Sequence, residues 1–126
     1  MFIYNNIKEI NLLKLEEKQF YIYVIKNEPQ GNIKIGISSN IKQRMKSLSG
    51  SNNGGNKIVK IAVSEPTYLY TLEQIIHNHF SKYRIQNTEW FYDLEFSDVT
   101  NYIDKLFESD EYKKLNKIRE GFAKNQ

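Results

Sequence analysis

Residues 20–37 read FYIYVIKNEPQGNIKIGI, and this stretch carries the strongest structural signal in the chain. Residues 20–25 are rich in aromatic and β-branched side chains and residues 33–37 alternate, so both are predicted to be strands. Between them, Pro29 and Gly31 favour a turn, because proline restricts the backbone angle φ and glycine relaxes it. We therefore expect an antiparallel hairpin to form the nucleus of a sheet.

Downstream of the hairpin, apolar residues recur at the period of a helix. Ile41, Met45 and Leu48 lie at i, i+4 and i+7, which predicts a helix preceded by a serine and an asparagine, either of which can cap it. Because Arg44 lies off that stripe, its guanidinium is expected to border the core without joining it. Residues 58–63 predict a third strand.

Two further helices are predicted in the second half of the chain. Apolar residues with helical spacing indicate one helix from about Thr67 to about Tyr83. Residues 90–94 are expected to be a strand or extended, and residue 97 or 98 is expected to cap a last amphipathic helix. The predicted fold class is α/β or α+β: a small, mainly antiparallel sheet of three strands flanked by helices.

The length and composition of the chain indicate a single domain. With 126 residues, of which 40% are hydrophobic, it has enough apolar material for one core and too little length for two ordinary domains. Within that domain we expect an N-terminal lead-in at residues 1–19, a central core at residues 20–96, and a C-terminal amphipathic helix with a basic tail at residues 97–126.

Composition also excludes several kinds of site. The chain has no cysteine, which excludes disulfides, thiolate metal sites and cysteine nucleophiles, so a metal would have to bind oxygen or imidazole. No apolar run approaches the roughly 20 residues that span a bilayer, and no secretory signal is evident, so an intracellular protein without a membrane partner is expected. The net charge of +3 permits a polyanionic partner without requiring one.

The hairpin carries the first candidates for chemistry. Alternation places Tyr21 and Tyr23 on one face of the first strand, and Lys34 and Gly36 on one face of the second. A tyrosine hydroxyl has an ordinary pKa of about 10, so it can act as a base near neutrality only if positive charge lies close to it. We expect Lys34 to supply that charge.

Two residues outside the hairpin suit phosphodiester hydrolysis, which needs a base, a cation at the phosphoryl oxygens and help for the leaving oxygen. The guanidinium of Arg44 offers a planar fork of donors to a phosphate. The carboxylate of Glu73 suits Mg²⁺, which commonly takes one or two protein carboxylates and fills its other positions with water and phosphate oxygen.

Together these residues resemble the GIY-YIG nuclease superfamily, from about Phe20 to Phe91, and most closely its short phage and viral branch. The resemblance rests on their order along the chain, which is more specific than any one piece. In sequence these are residues 21–27 (YIYVIKN), residues 33–38 (IKIGIS), Arg44, Leu72 and Glu73 with His77 and Phe80, and residues 89–91 (EWF).

The resemblance implies a metal-dependent endonuclease whose substrate is DNA. Tyr23 would be the general base, Arg44 would steady the scissile phosphate, and Glu73 would hold a single divalent metal, Mg²⁺ or Mn²⁺. Gly36 would keep a side chain out of the space where backbone approaches substrate. The complete set implied is Tyr23, Lys34, Arg44, Glu73 and His77 for catalysis, Tyr21, Gly36, Ser38 and Lys42 for substrate binding, and Glu73 for the metal.

This sequence departs from the superfamily pattern at three positions. Tyr21 stands where the first motif usually has glycine, and Lys34 replaces the tyrosine of the second motif. Leu48 stands where many members have histidine, and His77, on the following helix, is the residue expected to compensate for it.

Several alternatives stay open at this stage. Tyr21 and Tyr23 also suit the interior of a sheet, and Lys34 and Glu73 also suit a solvated surface. The main rival function is a nucleic-acid-binding module that keeps the fold and has lost turnover. A third is an accessory or interaction domain for a larger phage or mobile-element machine, with the basic C-terminal helix as its contact surface. The protein partners considered are a second copy of the chain, as a homodimer, and a larger phage or viral protein. The residues do not separate DNA from RNA, or nicking from double-strand cleavage.

Overall fold

The computed structural model describes residues 1–12, 19–50 and 57–125, so part of the lead-in lies outside the described residues. In those ranges the strands are β1 (Phe2–Tyr4), β2 (Tyr21–Glu28), β3 (Ile33–Ser38), β4 (Lys57–Val63) and β5 (Trp90–Phe91). The α-helices are α1 (Ile41–Gly50), α2 (Leu72–His79), α3 (Phe96–Glu108) and α4 (Asp110–Lys124), with short 3₁₀ helices at Ile7–Leu12 and Ser81–Tyr83.

The predicted hairpin is confirmed. β2 and β3 pair antiparallel with Tyr23 opposite Gly36 and Ile25 opposite Lys34, so the two predicted faces do meet. The turn closes through Asn27, whose side-chain oxygen accepts a hydrogen bond from the main-chain N–H of Asn32 at 2.9 Å. Gly31 within the turn has φ of +69°, a left-handed conformation that costs glycine little.

The α+β class is confirmed, but the described sheet has five strands rather than three. Its order is β1-β4-β2-β3-β5, and every neighbouring pair is antiparallel. β1 has three residues and β5 has two, which is too short for an alternating pattern to be recognised in sequence. Each of these short strands forms by pairing with the edge of a longer strand, β1 with β4 and β5 with β3.

Apolar side chains cover both faces of the sheet. On one face, Ile22, Val24 and Ile35 pack in a buried cluster with residues of α2, α3 and α4. On the other face, Tyr21 and Tyr23 pack with residues of α1. β2 is thus buried on both sides, which explains its nearly continuous run of large apolar residues.

The second helix begins later than predicted. α2 starts at Leu72 instead of about Thr67, because Thr67 is held in an extended bridge with Phe20 by two main-chain hydrogen bonds of 2.8 Å. The helical spacing beyond His79 continues in the 3₁₀ turn that ends at Tyr83. The helical spacing of apolar residues predicts this helix correctly, but the first residues of the predicted range are extended because they pair with a distant part of the chain.

The C-terminal segment is two helices, not one helix with a tail. α3 begins at Phe96, ahead of the predicted caps, and α4 follows immediately. Ser109 caps α4 by accepting a hydrogen bond from the main-chain N–H of Tyr112 at 3.2 Å. The Asn116 side-chain oxygen then accepts two bonds of 2.8 Å, from the Thr67 hydroxyl and the Tyr68 N–H, which attach α4 to the core.

Candidate active site

The candidate site lies at the edge of the sheet where β5 stops. β5 pairs with Ile33 and Lys34 of β3. The next residue, Ile35, makes its hydrogen bonds to residues outside β5. Its N–H donates to the main-chain oxygen of Glu89 at 3.1 Å, and its carbonyl oxygen is 2.7 Å from Nε2 of His77. One residue of β3 therefore attaches both α2 and the segment that carries Glu89.

That segment is a tight hairpin formed by residues 84–91. Arg84 and Phe91 form an antiparallel bridge, and the Arg84 Nε donates to the carbonyl oxygen of Thr88 at 2.7 Å. Asn87 adopts a left-handed φ of 64°, which closes the turn. The 84–91 hairpin holds Glu89 against β3 on one side and keeps Arg84 close by on the other.

Tyr23 lies in the middle of β2 and is buried, with its ring over Gly36. A Cβ atom added at Gly36 would overlap the Cζ and hydroxyl of that ring. The glycine therefore makes room for the phenol, where the sequence analysis assigned it to the approach of substrate. Gly36 acts here through Tyr23.

The electrostatic environment of Tyr23 differs from the expected one. Burial raises the pKa of Tyr23, and the negative charges of Glu89 and Glu73 raise it further, while Arg44 lowers it. Arg44, and not the expected Lys34, is the positive charge that lowers this pKa, and the Nζ of Lys34 is 3.0 Å from Oε2 of Glu89. The positive charge of Lys34 is therefore offset mainly by the carboxylate of Glu89.

Lys34 is also held by an aromatic ring. Its Nζ lies 5.5 Å from the centre of the Trp90 ring, and its side chain is only 13% exposed. A cation over an aromatic face is favourable, and here it adds to the ion pair with Glu89. Lys34 is thus a fixed member of the site and not a solvated surface charge.

Glu73 and Glu89 form a pair of neighbouring carboxyl groups. Burial, then the hydrogen bond and charge of Glu89, raise the pKa of Glu73 to about 7, against the opposing charges of Lys34 and Arg84. Burial also acts to raise the pKa of Glu89, but the hydrogen bond and charge of Lys34, with the hydrogen bond to Glu73, lower it overall. The pKa values of the two carboxyl groups are therefore shifted in opposite directions, and Glu73 binds a proton more readily than Glu89.

His77 is positioned as a structural residue. It is buried, its Nε2 is 2.7 Å from the Ile35 carbonyl oxygen and 3.6 Å from Oε1 of Glu73, and its ring meets Phe91 edge-on. Burial lowers the pKa of His77. A neutral imidazole that donates from Nε2 satisfies the carbonyl and ties α2 to β3.

Arg44 lines a polar cavity at the start of α1. The cavity has a volume of about 320 Å³. Ser38, a predicted substrate contact, also lines it, whereas Tyr21 is buried and Lys42 is not among the lining residues. Leu48, in place of the superfamily histidine, packs against the apolar cluster under Tyr23. The residues lining the cavity are Ser38, Ser39, Asn40, Gln43, Arg44 and Ser47.

Residues 20–108 match the model of the T5orf172 domain. The chain belongs to the T5orf172 domain family. The matched region runs from the residue before β2 to the end of α3 and includes every candidate site residue. No curated protein and no solved structure gives a significant match to this chain.

The T5orf172 domain is phage-associated and related to nucleases of the GIY-YIG and HNH-like types. Membership therefore supports a nuclease-like or DNA-binding module with a phage-related theme. It is also compatible with nucleic acid as the partner. Among the described residues, no helix is long and apolar enough to cross a membrane.

Sequence reasoning missed two charged residues of this T5orf172 domain. Glu89 was quoted as part of the EWF segment but given no role, and Arg84 was given none. The 84–91 hairpin brings both to the edge of β3, where the charge of Arg84 lowers the pKa of Glu73. The signal that could have pointed to Glu89 is the EWF segment, in which an acidic residue directly precedes two aromatic residues.

The carboxyl pair of the T5orf172 domain fits a hard divalent cation. In the described ranges, no three or more His, Cys, Asp or Glu side chains form a group that could hold a metal ion. Mg²⁺ does not need such a cage, because it binds through one or two carboxylates and keeps several waters. Glu73, whose carboxyl neighbours that of Glu89, offers oxygen ligands when it is ionised.

Proposed function

We propose that this T5orf172 domain is a metal-dependent endonuclease of the GIY-YIG type that hydrolyses phosphodiester bonds, with DNA as its substrate. The observation that carries the proposal is the convergence of Tyr23, Arg44 and the Glu73–Glu89 pair on one another. These residues come from β2, α1, α2 and the 84–91 hairpin. The charges of Arg44, Glu73 and Glu89 all act on the phenol of Tyr23.

The residues divide the chemistry among them. Arg44, at the polar cavity, contacts the scissile phosphate and offsets its charge. Glu73 would hold the divalent cation, and Tyr23, as phenolate, would accept a proton from the water that attacks phosphorus in line with the leaving oxygen. Lys34 positions Glu89 for this arrangement, and His77 positions α2 against β3.

The raised pKa of Tyr23 accounts for a requirement for metal. With Glu73 and Glu89 nearby and the ring buried, the phenol stays protonated at neutral pH. When bound, a divalent cation would neutralise these carboxylates, lower the pKa of the phenol and polarise a phosphoryl oxygen. Arg44 already lowers the pKa of Tyr23 in the absence of metal.

A second candidate function is a nucleic-acid-binding module that does not turn over. It is favoured by the burial of Tyr23, which is 1% exposed, and by the raised pKa of its phenol. In that case Arg44 and the polar cavity would bind phosphate, and Tyr23 would only fill the space above Gly36.

Cleavage of supercoiled plasmid tests the two candidates. The purified protein is incubated in Mg²⁺ and in EDTA, beside Tyr23→Phe and Glu73→Gln, with Tyr92→Phe as the matched control because Tyr92 is an exposed tyrosine. We expect nicking or linearisation in Mg²⁺ alone, retained by Tyr92→Phe and lost in the two site variants, whose folding is checked by circular dichroism.

Three other results would change the conclusion. Full cleavage by Tyr23→Phe would remove Tyr23 as the base and leave the nuclease activity standing. Cleavage that persists in EDTA would remove the metal requirement. Binding of plasmid, single-stranded DNA or RNA without cleavage of any of them would establish the non-catalytic module.

A further inference from the structure

Glu89 makes contacts in three directions, which is more than an ion pair requires. Its main-chain oxygen accepts from Ile35 at 3.1 Å, its Oε2 is 3.0 Å from Nζ of Lys34, and its carboxyl is within hydrogen-bonding reach of Glu73. The side chain is still 40% exposed. Glu89 is therefore firmly positioned but open to solvent.

The fold forces the two carboxyl groups together from separate elements. Glu73 lies one helical turn before His77, which is attached to the carbonyl of Ile35. Glu89 is attached to the N–H of the same residue. Because both anchors are on Ile35, the sheet brings the backbone positions that carry Glu73 and Glu89 close to each other.

Two adjacent carboxylates are unfavourable unless a proton or a cation lies between them. Lys34, whose Nζ is 3.0 Å from Oε2 of Glu89, offsets one of the two negative charges and leaves the other to be offset by a cation. Oxygen ligands on a hydrated, partly open edge are what Mg²⁺ and Mn²⁺ prefer. A divalent cation between the two carboxyl groups would therefore be favourable.

We propose that Glu89 is a second carboxylate ligand of the divalent cation, facing Glu73, and that Lys34 is the positioning residue that holds it there. This inference rests on the proposed function and deepens it, since it names the residue that completes the metal site. It also assigns a role to the acid of the EWF segment, which the sequence analysis left without one.

Terbium luminescence provides a test that does not depend on cleavage. Tb³⁺ is a hard cation that binds oxygen ligands, and it emits when an excited tryptophan lies close to it. Trp90 is the single tryptophan of the chain and directly follows Glu89, so tryptophan-sensitised emission reports an ion at this site. Displacement by Mg²⁺ shows that the two ions compete for it.

The variants are Glu89→Gln, Glu73→Gln and, as an exposed acid remote from the site, Glu108→Gln. Glutamine keeps the size of the side chain and can still accept a hydrogen bond from Lys34. We expect Glu89→Gln and Glu73→Gln each to weaken Tb³⁺ affinity by at least about tenfold, while Glu108→Gln binds like the unaltered protein. Affinity is taken from the titration midpoint, so a shift of Trp90 that changes brightness does not affect it.

Glu89→Asp guards against a fold defect in Glu89→Gln. It keeps the charge on a shorter side chain, and we expect it to bind Tb³⁺ more tightly than Glu89→Gln at equal thermal stability. Equal affinity of Glu89→Asp and Glu89→Gln would overturn the role of Glu89 as a ligand.

The outcomes separate this inference from the proposed function. If Glu73→Gln weakens binding and Glu89→Gln does not, Glu89 is not a ligand, and the nuclease proposal stands on Glu73 alone. If the unaltered protein gives no emission that Mg²⁺ displaces and also leaves plasmid intact, both proposals fail.

Discussion

Gly36 and Tyr23 show how a residue without a side chain determines the position of a functional one. The phenol occupies the space above Gly36 that a Cβ would fill. Glu73 and Glu89 also depend on their neighbours, because each changes the pKa of the other. Both of them raise the pKa of Tyr23. Substitutions of single residues therefore test the site most directly.

Replacing Gly36 should displace the ring of Tyr23. Gly36→Ala is expected to destabilise the protein by about 1–3 kcal/mol, as overpacking in a filled interior does, and to abolish any cleavage that requires Tyr23. Urea unfolding measures the free energy. Gly121→Ala is the control, because nothing lies within 4 Å of a Cβ there, and it is expected to stabilise α4 by roughly 1 kcal/mol.

A double-mutant cycle identifies the cause. In a Tyr23→Ala background the overlap is gone, so Gly36→Ala should cost clearly less than it does with the tyrosine present. An equal cost in both backgrounds would mean that Gly36 is needed for its backbone and not for the ring.

The raised pKa of Glu73 predicts how the stability of the folded protein depends on pH. The pKa of Glu73 is raised from 4.5 to about 7, so between these values the folded protein holds a proton that the unfolded chain has lost. The stability that this proton contributes is present at low pH and is lost as pH rises through about 7. In EDTA, the melting temperature should therefore fall from about pH 5 to about pH 8 more steeply than that of Glu73→Gln.

Glu73→Gln is the appropriate reference because the other charged groups around this position remain in it. Glu89, Lys34, Arg84 and His77 all face the carboxyl of Glu73 or influence it. Parallel melting curves for the two proteins across this pH range would show that Glu73 does not hold the proton.

Among the α-helices, α4 is the one that the chain pattern did not indicate. Its helical propensity and capping serine are local, but its place against the core depends on Asn116 and on the buried Tyr112. The family match ends at residue 108, before α4 begins. This helix therefore supports the domain from outside the part that carries the candidate site.

Asn116→Ala is expected to loosen α4 without altering the site. It removes the acceptor for the Thr67 hydroxyl and the Tyr68 N–H, which should cost about 1–3 kcal/mol in urea unfolding. Asn101→Ala, on the exposed side of α3, is the control and should change stability little. Terbium affinity should be the same in both variants at temperatures where they are folded.

If Asn116→Ala unfolds like the unaltered protein, α4 is attached by its apolar contacts alone. If it loses terbium affinity while folded, α4 influences the site, and the division between support and site is incorrect.

For the whole molecule, the proposed binding of nucleic acid would have to arise from local charge, because the net charge is only +3. Arg44 stands at a polar cavity, whereas Lys34 is occupied by Glu89. Contacts between cationic side chains and phosphates release counterions, so affinity should fall as salt rises. Both candidate functions share this property.

Arg44→Ala should reduce the dependence of DNA binding on salt. In EDTA, the slope of log K against log salt is expected to become smaller in magnitude by about 1, the effect of losing one phosphate contact. Lys105→Ala, an exposed lysine on α3, is the control and should leave the slope unchanged. Fluorescence anisotropy at several salt concentrations gives both slopes, and an unchanged slope for Arg44→Ala would remove it from the phosphate contacts.

The sequence by itself determined the β2–β3 hairpin, α1, α3 and the α+β class, because these depend on local periodicity and turn residues. It also brought Tyr23, Arg44 and Glu73 forward as candidates through their order along the chain. Only the tertiary structure decided β1, the extent of β5, the start of α2 and the attachment of α4, since a short strand or a bridged threonine depends on a partner distant in sequence. It alone paired Lys34 with Glu89 and raised the pKa of Tyr23, because burial and the distances between charges are set by packing and not by any local pattern.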